Sequence, residues 1–124
     1  MMKGIMLRYD DANEILMGEF EAMKTAFQED GEGFYDDIQH CFYDDKFVPY
    51  IVRHINEGNE GELKKIFDFV ERLFSDGDED LVELAGVSIV EPIYYEPDYE
   101  KHKGKIFSLC GNLTRKSFED MDGE

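Results

Sequence analysis

Apolar residues recur along most of this chain at the three- and four-residue spacing of amphipathic helices, and seldom alternate as they do in strands. In "DDANEILMGEFEAMKTAFQED" (10–30), Ala12, Leu16, Phe20, Met23 and Phe27 form one stripe. That stripe predicts a helix that Asp10 or Asp11 can cap and that the glycines of "GEG" terminate. A short segment follows, "FYDDIQHCFYDD" (34–45), with Phe34, Ile38 and Phe42 on one face. "DKFVPYIVRHINEG" (45–58) predicts a helix with Pro49 near its first turn, Phe47, Ile51 and Ile55 inward, and Gly58 closing it. Asn59 caps the clearest helix, "NEGELKKIFDFVERLFSDG", whose Leu63, Ile66, Phe67, Val70, Leu73 and Phe74 make a core-facing stripe.

Gly77 ends that helix, and "DLVELAGVSIV" (80–90) begins another that is apolar nearly all round, as expected of a helix packed on two sides. A strand over "GVSIV" competes, because β-branched residues gather there. After a proline- and tyrosine-rich elbow, "KGKIFSLCGNLTRKSFEDM" (103–121) predicts one last helix with Ile106, Leu109, Cys110, Leu113 and Phe118 inward. Apart from "GIMLRY" at the start, nothing alternates like a strand. The expectation is an all-α fold: one domain over residues 1–124, with five or six helices packed as hairpins. The helices at 59–74 and 79–90 resemble one HEAT-like pair, and the acidic end at 119–124 can fray.

Charge changes the picture most. Thirty Asp and Glu against thirteen Lys and Arg give a net charge of −17. Such a surface repels phosphate backbones and anionic lipid, so direct nucleic-acid or membrane binding is disfavoured and a basic protein partner is favoured. No run of residues is long and apolar enough for a membrane span. With no signal-like start and two widely spaced cysteines, the expectation is a cytoplasmic protein with reduced thiols.

Candidate chemistry falls away on inspection. Asp76, Asp78 and Asp80 alternate as in a calcium loop, but Leu81 stands where the turn glycine belongs and Val87 where the bidentate glutamate belongs. Capping and charging of a helix N-terminus explains these acids better. His40 and Cys41, with His54 or His102, lack the paired short spacing of zinc ligands. No phosphate-binding glycine loop and no nucleophile motif is present. The reading is therefore non-enzymatic, with no cofactor and no metal.

What remains is surface. In "SIVEPIYYEPDYEKHKG" (88–104), Tyr94, Tyr95 and Tyr99 lie among Glu91, Glu96 and Asp98, stiffened by Pro92 and Pro97. Tyrosines supply large contact area for few rotatable bonds, and carboxylates attract a basic partner. One or two of these tyrosines are expected to tuck into the core. Asp36, Asp37, Tyr43, Asp44 and Asp45 repeat the mixture and form a second candidate patch.

The C-terminal half, from Asn59 onward, carries a resemblance. The apolar helix "LVELAGVSIVE", the pattern Y-x-x-P-D-Y at 94–99 and the basic run "KHKGKIFSL" (101–109) resemble small helical bacterial immunity proteins found near polymorphic toxin genes. The resemblance implies a small, acidic, cofactor-free cytoplasmic protein that binds and blocks a toxin domain, often a basic nuclease. It carries over no contact residue, because that family shares a pattern and not a motif. The alternative is a helical adaptor, or a nucleic-acid mimic that binds some other basic protein.

Overall fold

The computed structural model of the chain describes residues 7–8, 11–29 and 43–123. Over these the fold is all-α. Helix α1 (Ala12–Glu19) and α2 (Glu21–Glu29) are followed by a π-helical turn, π1 (Tyr43–Phe47), which runs directly into α3 (Val48–Glu57). Next come α4 (Glu60–Asp76) and α5 (Glu79–Ala85), then a second π-helical turn, π2 (Gly86–Val90), that continues into α6 (Glu91–Tyr94). Helices α7 (Tyr99–Leu109) and α8 (Asn112–Asp122) complete the chain. The long helix α4 stands at the centre, packed against α3, α5, α7 and α8.

Local signals explain most of the boundaries. Gly58 ends α3 at φ 69°, a conformation that costs glycine nothing, and its N–H bonds the carbonyls of His54 and Ile55. The Asn59 side chain accepts from the Glu62 N–H at the start of α4, and Asp78 accepts from the Leu81 N–H at the start of α5. Gly77, between α4 and α5, is required for a different reason. A Cβ there would lie 2.3 Å from the Leu73 carbonyl oxygen. Leu7 lies beside this junction, donating to the Asp76 carbonyl at 2.7 Å and accepting from the Asp78 N–H at 2.8 Å. That isolated bridge is the only extended pairing among the described residues; of "GIMLRY" only Leu7 and Arg8 are described, and the strand expected there otherwise lies outside the described residues.

Several expectations are corrected. The helix read over 10–30 breaks at Phe20, whose backbone is extended at φ −129°, ψ 105°. The break turns the Phe20 ring into a cluster with Phe47 (5.4 Å between centroids) and Phe69 (5.5 Å). Asp11 precedes α1, but its side chain makes no capping bond. "GVSIV" is helical and the strand alternative fails. The single last helix is two, broken at Cys110 and Gly111. That break resets the helical phase, so Thr114 is buried and Leu113, expected inward, is 43 % exposed.

The core joins two aromatic clusters. Phe20, Tyr43, Phe47 and Phe69 fill one end, while Tyr99 stacks on Phe118 at 5.6 Å at the other. The aliphatic residues Ile66, Val70, Leu73, Leu84 and Ile89 are fully buried as well. Each such side chain contributes about 1.5–3 kcal/mol on leaving water, which fixes α4 and α5 as the platform on which the surface is built.

Candidate functional site

Helix α3 and the continuous helix through π2 and α6 do not close fully on one another. Between them lies an open groove of about 810 Å³. Its apolar surface comes from Val48, Pro49 and Val52 on one wall and Val87 and Pro92 on the other. Tyr95, 67 % exposed, stands at one end, and Glu91, Glu96 and Arg53 are its charged lining groups. Val87 is 48 % exposed on a helix whose Leu84, Ile89 and Val90 are completely buried. Of the exposed large apolar side chains among the described residues, Val87, Tyr95 and Leu113, the first two line this groove.

The elbow tyrosines divide by depth. The Tyr95 ring rests edge-on against Tyr94, with centroids 5.1 Å apart and planes at 86°. Tyr94 meets Tyr99 at 5.0 Å, and Tyr99 stacks on Phe118. The series runs from solvent into the core, so Tyr95 is propped from behind by a rigid ladder. The Tyr94 hydroxyl donates to Asp122 at 2.8 Å, and Lys103 donates to the other Asp122 oxygen at 2.9 Å. This clasp ties the end of α8 to the elbow. The bond to Asp122 pushes the Tyr94 phenol up to about 12, while Lys103 and then Tyr94 hold the Asp122 carboxyl below its usual range.

Of the residues singled out from sequence, Glu91, Tyr95 and Glu96 come together in the groove. Asp98 is exposed and lines a small adjoining cavity of about 30 Å³ that shares Val52, Asn56 and Glu96 with the groove. The carboxylates of Glu91, Glu96 and Asp98 join no salt bridge among the described residues. Tyr99, only 4 % exposed, is a core residue and offers no contact surface; burial also raises its phenol. Tyr94 is half-buried and committed to the clasp. In the second patch, Tyr43 is a correction: it is fully buried, its ring edge-on to Phe47 at 5.7 Å, because the π1 turn directs it inward. Asp45 is exposed beside a separate hollow. Asp36, Asp37 and the side chain of Asp44 lie outside the described residues.

Sequence reasoning missed Val87, Val52, Pro49 and Arg53. Pairing α3 with π2 requires the three-dimensional packing; the available hint was the excess of apolar residues around "DLVELAGVSIV". No group of three His, Cys, Asp or Glu side chains suited to a metal ion occurs among the described residues. Burial, with the Glu71 carboxylate nearby, pushes the Cys110 thiol up to about 12, which leaves it a poor nucleophile at neutral pH. No described helix is long and apolar enough to cross a membrane.

A family described as a domain of unknown function (DUF7674) matches residues 13–122. No curated protein and no solved structure matches the chain.

Proposed function

The chain belongs to the DUF7674 family, and we propose that it is a non-enzymatic binding protein whose groove between α3 and α6 holds a basic protein partner. The observation that carries this reading is the joint exposure of Val87 and Tyr95 beside Glu91 and Glu96, carboxylates that no cation of the described residues pairs with. Apolar surface and unpaired charge in one groove answer to a partner that supplies both.

Binding then divides between two effects. The net charge of −17 draws a cationic partner in and speeds encounter by about 10- to 1,000-fold at low salt. Once docked, a side chain of the partner covers Val87 and Tyr95, and its Lys or Arg residues meet Glu91 and Glu96. Desolvated contacts of this kind set the off-rate. Because the Tyr95 ring is braced by Tyr94, little side-chain entropy is lost on docking.

In its most specific form the proposal is immunity: a cytoplasmic inhibitor that occludes a cognate toxin domain, with a basic nuclease as the toxin best matched to this charge. Support comes from the acidity, from the helical frame and from the resemblance of the C-terminal half, from Asn59 onward. The test is genetic. A toxin domain lethal on its own is tolerated when co-expressed with the wild-type chain and is lethal again with Val87→Arg and Tyr95→Ala together. Protection that survives the double variant contradicts the groove as the site. Binding of a basic partner that is not toxic replaces immunity with an adaptor role.

A further inference from the structure

A stable interface covers about 800 Å² of each partner, more than the walls of one groove present. The surface beyond the groove is therefore informative. A second hollow, of about 380 Å³, lies across α3 and is lined by Met23, Asp45, Lys46 and Tyr50. Pro49 and Arg53 line both hollows, so the two are halves of one face divided by α3.

The two halves differ in charge. The larger groove carries Glu91 and Glu96 opposite Arg53. The second hollow carries Asp45 with Lys46 and Arg53. Among the described residues, two of its three charged lining groups are cations, in a chain with thirty acids and thirteen bases. Arg53 is also held in place. Its guanidinium carbon sits 5.6 Å from the centre of the Tyr50 ring, the Tyr50 hydroxyl donates to Glu62, and the ring meets His54 edge-on at 4.6 Å. His54 is fixed in turn by Asn59, 3.2 Å from its Nδ1.

We propose that the two hollows form one keyed face for a single partner segment, cationic where it meets Glu91 and Glu96 and acidic where it meets Arg53. This rests on the groove being the binding site, and it adds polarity and register to that reading. A uniformly basic segment would bring a like charge onto Arg53, at a position where a buried unpaired cation is costly. Arg53 is thus the group that separates one partner from the many basic proteins that a strongly acidic surface attracts. A second copy of this chain is the less suited occupant, because two bodies of charge −17 repel.

The test uses a displayed library of random 16-residue peptides, selected separately on the wild-type chain, Arg53→Glu and Val87→Arg. Both substituted side chains are exposed, and circular dichroism checks that each variant keeps its helices. The wild-type chain is expected to enrich an apolar or aromatic residue with Lys or Arg on one side and Asp or Glu on the other. The synthetic winner should bind at least about tenfold tighter than its acid-to-lysine counterpart. Arg53→Glu should invert that preference, and Arg53→Gln should abolish it.

Uniformly basic winners that bind Arg53→Glu as tightly as wild type, or tighter, overturn the key, since that variant is simply the more negative protein. If those winners are lost on Val87→Arg, the groove reading stands and the key alone falls. If Val87→Arg retains them, or nothing is enriched, both fall. Sedimentation of the wild-type chain as a dimer that Arg53→Glu dissociates would make a second copy the occupant and would also overturn the proposal.

Discussion

Tyr99 brings a hydroxyl into the core and gives it no hydrogen-bond partner among the described residues. A buried donor left unsatisfied costs about 1–3 kcal/mol, while its ring stacking on Phe118 is favourable. Tyr99→Phe keeps the stacking and removes the orphan, so the variant should be as stable as wild type or up to about 1 kcal/mol more stable in urea unfolding. A loss of stability would mean that the hydroxyl has a partner. Tyr50 and Tyr94 behave differently, because each donates to a carboxylate, Glu62 and Asp122 respectively. Their phenols are pushed up from 10.0 to about 12, Tyr50 chiefly by burial and Tyr94 chiefly by its bond to Asp122. Between those values the folded chain keeps protons that the unfolded chain has released, so stability falls as pH rises from about 10 to 12. Melting temperature followed across that interval should fall, and Tyr50→Phe with Tyr94→Phe should lessen the fall, leaving the part due to Tyr99, whose phenol burial also raises.

At the scale of elements, capping residues made α3, α4 and α5 legible in the sequence, while long-range contacts hid the breaks at Phe20 and Cys110. Gly58, Asn59, Gly77 and Asp78 act locally, and each sits where its chemistry places it. Gly18 weakens the helix just before the break at Phe20, but the ring contacts that the break makes are with Phe47 and Phe69, far along the chain. The start of α8 was hidden for the same reason. Its N-terminal N–H groups are capped from α4: the Glu71 carboxylate accepts from the Leu113 N–H at 3.1 Å and from the Thr114 N–H and hydroxyl at 2.9 and 2.8 Å. Gly111 permits that approach, because a Cβ there would lie 2.4 Å from the Glu71 carboxyl carbon. Glu71→Ala should cost about 1–2 kcal/mol and raise amide exchange in residues 112–122 ahead of the other helices. Uniform loss of protection would show that α8 has no separate stability. The candidate site followed the same rule. Glu91, Tyr95 and Glu96 were legible because tyrosine and carboxylate mark a surface, whereas Val87 and Arg53 became visible only when α3 was packed beside π2.

For the molecule as a whole, the question is whether acidity alone or a built groove governs binding. A net charge of −17 attracts any cationic protein, and that attraction is screened within about 10 Å at 0.1 M salt. In the proposed complex, contacts over Val87 and Tyr95 would exclude water and would be insensitive to salt. The frame around them is rigid: α4 and α5 are buried, α8 is capped from α4, and the Tyr94–Asp122–Lys103 clasp secures the elbow. The most direct measurement is a pull-down with the wild-type chain and with Val87→Arg plus Tyr95→Ala, each washed at low and then high salt. One basic protein, kept in near-stoichiometric amount through the high-salt wash by the wild type and lost by the double variant, is the predicted result. Many basic proteins held equally by both chains and released together by salt would contradict it.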